Sequence, residues 1–275
     1  MFTFAGKLHI NNFSCIMANV IKIKKGLDIN LKGKASDVLL NGGKSDSYAI
    51  VPDYYNGIVP KVVAKVGEKV KAGSVLMIDK NRPEIKFVSP VSGEVTAVNR
   101  GEKRKVLSIV VKPDAQIEYE EFGKKNVASL QGAEVKEVLL NAGMWPFIKQ
   151  RPYDIVAAPL DTPRDIFVSA FYSAPLAPNF DFIVKGQEAD FQTGLNALAK
   201  LTNGKVYVGV RSGSVVSGMK GVEIVEVEGP HPAANVGVQI NHIKPVNKGE
   251  VVWTVNPADV IVIGRLFNKG VADFS

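Results

Sequence analysis

The sequence predicts a mixed α/β fold in two parts: a β domain of short strands over residues 17–118, then a Rossmann-like α/β domain over 131–275. Three observations carry this reading. Residues 17–118 alternate apolar and polar positions between glycine turns and show no helical period. From about Gln131 the apolar spacing lengthens to that of a helix. Helical stretches are then interleaved with short Val- and Ile-rich runs, the pattern of a mostly parallel sheet layered with helices.

In the β domain the strand-like runs are "VIKIKKG" (20–26), "GIVPKVVAKVGEKV" (57–70), "IKFVSPVSGEVTAV" (85–98) and "KVLSIVVKP" (105–113). Pro113 and Asp114 close the region, and an acidic connector follows, "QIEYEEFGKKN", with 119–130 as the link between domains. Two halves repeat each other: "VAKVGEKVKAGSVLMI" is echoed by "VTAVNRGEKRKVLSIV". Such pairing resembles the barrel-sandwich hybrid of biotinyl and lipoyl domains, which present a modified lysine at a hairpin tip, and Lys80 is the candidate here. Biotin carriers show Ala-Met-Lys-Met and lipoyl carriers Asp-Lys-Ala, with the lysine in a two-residue turn. Asp79-Lys80-Asn81-Arg82-Pro83 is longer and ends on a proline. Lys80 is therefore expected to be an unmodified loop lysine; the competing reading is a stand-alone carrier or binding module modified on Lys80.

In the second domain, "GAEVKEVLLNAGMW" (132–145) puts Val135, Val138, Leu139 and Ala142 on one helical face, with Gly143 as the stop. "RDIFVSAF" (164–171) reads as a buried strand. "EADFQTGLNALAKLTNG" (188–204) is a helix with Phe191, Leu195, Leu198 and Leu201 on its apolar face, ended by Asn203-Gly204. "KVYVGVR" (205–211) and "GVEIVEVEG" (221–229) are strands. "NPADVIVIGRLFNKG" (256–270) opens with an Asn cap and a proline at the first helical position. The last residues, "NKGVADFS", read as following an unfinished helix, so the chain is expected to stop short of its domain's end.

Composition excludes several classes. The 275 residues carry a net charge of +7 and a pI near 9.3, but the lysines are dispersed and match no nucleic-acid motif. An anionic membrane surface or an acidic partner subunit suits them better. Cys15 is the single cysteine, and His9, His231 and His242 are scattered, which argues against an internal disulfide, zinc or iron–sulfur ligation. No run approaches the ~20 apolar residues of a membrane-spanning helix. "MANVIKIKKG" resembles a natural start at Met17, so residues 1–16 are expected to be a disordered extension, and they make a poor signal peptide.

No dinucleotide or P-loop glycine motif is present. "RSGSVVSG" (211–218) and "NGGKSDS" (41–47) come nearest and read as surface turns. In "EGPHPAANVGVQINHIKP" (228–245), read as a long loop, prolines bracket His231. That histidine either exchanges a proton with a ligand or bonds the backbone of a rigid turn. "NAGMWPFIKQRPYD" (141–154) sets Trp145, Phe147 and Tyr153 beside Lys149 and Arg151, a grouping that suits a flat redox ring such as a quinone head, or a domain interface. No Ser/His/Asp set or close carboxylate pair stands out.

Five stretches in order, "IKIKKGLDINLKGKA", "FVSPVSGEVTAVNRGEKRKVLSIVV", "AGMWPFIKQRPYD", "GPHPAANVG" and "VVWTVNPADVIVIGRLF", resemble the A subunit of the bacterial sodium-translocating NADH:quinone reductase. The resemblance runs from Ile21 to about Gly270, and the family continues beyond that point. It implies a peripheral subunit on the cytoplasmic side of the bacterial inner membrane, one of six in a complex that oxidises NADH, reduces ubiquinone or menaquinone and exports Na⁺. The whole complex uses NADH, FAD, FMN, iron–sulfur and quinone, whereas the A subunit itself is expected to bind no cofactor and to contact quinone. With quinone as the ligand, the residues singled out above, Trp145, Phe147, Lys149, Arg151 and His231, are the quinone-binding candidates; no catalytic residue and no metal are expected. The fold implied is similar to the flavin- and NADH-binding subunit of respiratory complex I. At the place of that relative's glycine-rich flavin loop this chain has "NAGMWPFIKQ", which departs from the flavin-binding pattern.

Overall fold

The structure, a computed structural model, describes residues 20–33 and 36–275. The expected extension at 1–16, with His9 and Cys15, lies outside the described residues. The first strand, β1 (Val20–Lys22), is separated from the β domain by a stretch whose described residues form neither helix nor strand. There β2 (Tyr48–Ile50), β3 (Pro60–Val62), β4 (Lys69–Val70), β5 (Val75–Asp79), β6 (Lys86–Val88), β7 (Gly93–Arg100) and β8 (Val106–Pro113) make two antiparallel sheets. One has the order β2-β8-β7-β4 and the other β3-β5-β6. Leu76, Met77, Phe87, Val95, Ile109 and Val111 fill the space between them. The period-two pattern holds along β8, where Ile109 and Val111 point inward, whereas in β5 a bulge lets the adjacent Leu76 and Met77 both be buried.

The β5–β6 hairpin is the tip on which a carrier lysine would sit. Lys80 is exposed, but the turn around it is fastened down. Its N–H donates to the Val59 carbonyl at 2.7 Å. The buried Asp79 carboxylate accepts from the Val59 and Asn81 N–H groups and from Arg82 Nε at 2.8 Å. Arg82 reaches on to the carbonyls of Gly57 and Val156 at 2.9 and 3.1 Å. A swinging arm has to leave its domain; this hairpin is tied to the neighbouring one, which disfavours the carrier reading.

The second domain is built on β9 (Lys149–Arg151), β10 (Ile155–Val156), β11 (Ile166–Ser169), β12 (Val206–Val210), β13 (Glu223–Glu228) and β14 (Val252–Val255). With β1 they form a seven-stranded sheet of order β1-β13-β12-β11-β14-β9-β10. The pairs from β1 through to β14 are parallel, and β9 and β10 close one edge antiparallel. Five helices accompany it among the described residues: α1 (Gly132–Asn141), α2 (Phe180–Val184), α3 (Glu188–Ala199), α4 (Val236–Ile243) and α5 (Pro257–Lys269). Strand pleating divides the sheet's side chains. Ile166, Val168, Val208 and Val255 share a core with residues of α3 and α5, and Phe167 packs with Ile240 of α4.

Local sequence explains most boundaries. In α1 the Glu134 carboxylate accepts from the Gln131 N–H at 2.7 Å, half of a capping box. Gly143 follows at φ 69°, and a Cβ there would lie 2.4 Å from Val88 Cγ1, so the stop also seats the helix end on the β domain. In α5, Asn256 Oδ1 accepts from the Ala258 N–H at 3.0 Å and Pro257 takes the first helical position.

Three expectations are corrected. The run 20–26 reads as part of the β domain, yet Val20–Lys22 pairs with Glu226–Glu228 at the edge of the seven-stranded sheet. Alternation specifies a strand but not its partner. The stretch 228–245 is a loop only in its first half, because Val236–Ile243 forms α4. The last helix is complete: Gly270 caps it in the left-handed region, its N–H donating to the Leu266 carbonyl at 2.8 Å.

Candidate functional site

In chain order β11 leads through α2 and α3 to β12 and β13, and the chain then crosses back through α4 to β14 on the other side of β11. The sheet therefore reverses its winding between β11 and β14. Open α/β sheets bind ligands outside the carboxyl ends of the strands at such a switch point. A cleft of about 620 Å³ lies there. Ser169, Phe171 and Tyr172 line it from the end of β11, and Thr254, Val255 and Asn256 from the end of β14. The first residues of α4 and α5 form further walls. Antiparallel pairing sets Lys149 opposite Thr254, so the start of β9, with Phe147 just before it, reaches the carboxyl end of β14, and the Arg151 side chain also lines the cleft.

The charged groups are held close to apolar surface. Lys149 Nζ stands 5.1 Å from the centre of the Tyr55 ring, a residue of the β domain that in turn packs edge-on against Phe87. Burial pushes the Lys149 ammonium below its usual range, and Asp154 and Asp259 oppose that shift. Burial lifts the Asp259 carboxyl from 3.8 to about 6, with Lys149 as the counterweight. The hydroxyls of Tyr55 and Tyr172 are pushed up, chiefly by burial and further by the Asp259 charge. For Tyr172 a 3.3 Å bond to Asn256 Oδ1 resists the rise. Arg151 Nε lies 3.3 Å from Asp154 Oδ1, yet it is buried without an aligned hydrogen-bond acceptor. The site thus offers two cations, one carboxyl able to hold a proton near neutral pH, and flat apolar walls.

Of the residues singled out in the sequence, Phe147, Lys149 and Arg151 meet on the cleft. Trp145 does not reach it. The indole is fully buried, edge-on to Trp253 with centroids 5.4 Å apart, and its Nε1 donates to the Ala157 carbonyl at 2.8 Å. It supports the floor beneath β9 and β14. Tyr153 is exposed and lies outside the lining. His231 does not line the cleft. Its Nδ1 is 3.0 Å from Ser173 Oγ, and its backbone N–H donates to Asp28 Oδ1 at 2.8 Å. The carbonyl of the same residue accepts from the Leu27 N–H. These contacts make it a clasp for the segment after β1.

Sequence reasoning missed Tyr55, Tyr172 and Asp259. Asp259 carried one signal, an acid in the first turn of a capped helix, but that is ordinary dipole complementation. The segment 141–154 offers no phosphate cradle for a flavin. Gly143 is packed on Val88, Met144, Trp145 and Ile148 are buried, and the chain then becomes β9. Among the described residues no group of three or more His, Cys, Asp or Glu is arranged to hold a metal ion.

Fold and cleft together define a two-domain α/β protein: a barrel-sandwich hybrid domain joined to a doubly wound domain with a ligand cleft at its switch point. Comparison with known proteins narrows the class. The family model described as the NqrA N-terminal barrel-sandwich hybrid domain matches residues 21–114, and that described as the NqrA second alpha/beta domain matches 130–272. The A subunit of the Na(+)-translocating NADH-quinone reductase of Hahella chejuensis is 40% identical over 256 residues, 91% of this chain and 57% of the relative. Its counterparts of the same name in Photorhabdus laumondii and in Neisseria meningitidis serogroup A are each 38% identical over 255 residues, with the same coverage. The chain belongs to the NqrA family. It spans a little over half the length of these relatives.

Proposed function

We propose that this chain serves as the corresponding part of the NqrA component in a sodium-pumping NADH:quinone reductase, a peripheral subunit on the cytoplasmic side of the membrane. The observation that carries the reading is the match of both domains, in order, to relatives that bear that name. No helix among the described residues is long and apolar enough to cross a membrane, which accords with a peripheral place. Its partners are then the other subunits of the six-subunit complex. NADH oxidation, and the flavin and iron–sulfur chemistry, belong to those subunits.

Within that assembly we infer that the switch-point cleft receives the quinone head group. A flat ring suits Phe147 and Tyr172, and a quinone carbonyl can accept from Lys149 or Arg151. Asp259, with its carboxyl near 6, can hold a proton beside that carbonyl. Trp145 and His231 act from outside the cleft, as floor and clasp. The test is photolabelling of the intact complex, purified through this chain, with a light-activated quinone analogue, followed by peptide mapping. Label on peptides that contain Phe147–Arg151 or Tyr172 is expected. Label confined to other subunits removes the quinone role, whereas failure of the chain to bring down NADH:quinone reductase activity removes its place in the complex altogether.

A further inference from the structure

The segment between β1 and β2 carries aliphatic side chains that stand exposed among the described residues. Val38, Leu39 and Leu40 are 59%, 89% and 82% exposed, and Leu27, Ile29 and Leu31 before them also face solvent. A second loop meets this segment, since Asn179 Nδ2 donates to Asp37 Oδ2 at 3.4 Å. That loop presents Leu176, 83% exposed and held at φ 60°. A bulky side chain in the left-handed region is strained, and here the strain displays a leucine to water. The Ala177 N–H donates to the Ala174 carbonyl at 3.2 Å, so Leu176 takes the third position of a β-turn behind Pro175, where type II geometry demands a positive φ; the turn fixes the backbone and leaves the side chain uncovered.

We propose that Val38, Leu39, Leu40 and Leu176 form a patch that inserts into an anionic lipid surface. Two features choose lipid over a protein partner. Protein interfaces concentrate their energy in Trp, Tyr and Arg, with Leu under-represented; residues 24–44 and 173–179 hold no aromatic residue and no arginine. Lysine outnumbers acid between these aliphatics: Lys24, Lys25, Lys32 and Lys44 are exposed, against Asp28 and Asp37, and Lys44 Nζ also donates to the Ala115 carbonyl at 3.0 Å. Protruding aliphatics among lysines are the composition of an interfacial lipid anchor. The inference is independent of the quinone site.

The test is co-sedimentation of the whole chain with vesicles of equal parts phosphatidylcholine and phosphatidylglycerol, and with phosphatidylcholine alone. Leu39→Ser, Leu40→Ser and Leu176→Asn are combined; asparagine tolerates the left-handed region, so melting temperature is expected to hold. Binding to the anionic vesicles is expected to weaken about tenfold or more in the triple variant. It should fall with added salt, and should not change in Leu160→Ser, an equally exposed leucine elsewhere on the surface. Absence of binding to anionic vesicles, or equal binding by the triple variant, overturns the proposal. Self-association that the triple variant abolishes, without vesicle binding, would overturn it in favour of a second copy of the chain.

Discussion

Asp259 is the group whose chemistry departs furthest from its free state in the cleft. In the unfolded chain it releases its proton near 3.8; in the folded protein it holds the proton to about 6. Below the lower value both states are protonated and the group costs nothing. As pH rises through that interval the folded state is penalised, and above about 6 the full penalty stands. A rise of that size is worth at most about 3 kcal/mol, and the attraction of Lys149 is lost when the carboxylate is removed. Asp259→Asn is therefore expected to match the parent in denaturant melts at about pH 4 and to exceed it by about 1–2 kcal/mol at about pH 8. A stability difference that does not change with pH would contradict the assignment. Such a carboxyl weakens the fold at neutral pH, and groups perturbed in this way cluster at functional sites. Its burial could not be read from the sequence, because the neighbours that bury it come from other elements. Phe147, Lys149 and Arg151 could be read, because one short stretch carries all three.

At the scale of elements, α5 matters because its first turn holds Asn256 and Asp259 on the cleft. Its position is set by a close crossing with α3. A Cβ on Gly264 would lie 1.7 Å from the Asp190 carbonyl oxygen, and one on Gly194 would lie 2.0 Å from that of Val260. Gly264→Ala gains about 1 kcal/mol of helix propensity, but neither backbone can yield without moving a whole helix. Overpacking of this kind costs more than that gain, so a net loss of about 2 kcal/mol or more is expected in thermal or denaturant unfolding. A neutral or stabilised variant would show that the helices separate freely. The elements that the sequence displayed, α1, α3 and α5, are those whose caps and apolar stripes lie within their own residues. By contrast α4 was hidden. Its buried face includes Gln239, whose Nε2 donates to Ser169 Oγ at 2.9 Å, so the stripe reads as polar, and Asn235 supplies no side-chain cap. The partner of β1 was hidden for a different reason, since strand pairing is decided by residues about two hundred positions away.

At the scale of the molecule, the two domains share one continuous core, and Arg82 fastens the point where a carrier hairpin would otherwise swing free. Its guanidinium pairs with Asp79, which is 1% exposed, and holds a carbonyl on each side of the domain boundary. Nearby, Tyr55 reaches across from the same domain to Lys149, so docking of the β domain is also what shields that ammonium. The sequence offered the hairpin as a candidate arm, and the five-residue turn argued against it. The decisive fact, that Arg82 commits one donor to the Val156 carbonyl of the neighbouring domain, is a long-range contact that no local pattern encodes. Arg82→Met keeps the stem's volume while leaving Asp79 buried without its cation. Breaking one side of a buried pair costs about 3–5 kcal/mol. The expected result is a lowered melting temperature and an intact mass that still shows Lys80 unmodified. If the hairpin were instead a detachable arm, Arg82→Met would behave as a surface change, within about 0.5 kcal/mol of the parent. Wild-type stability in that variant, together with an added prosthetic mass on Lys80, would restore the carrier reading.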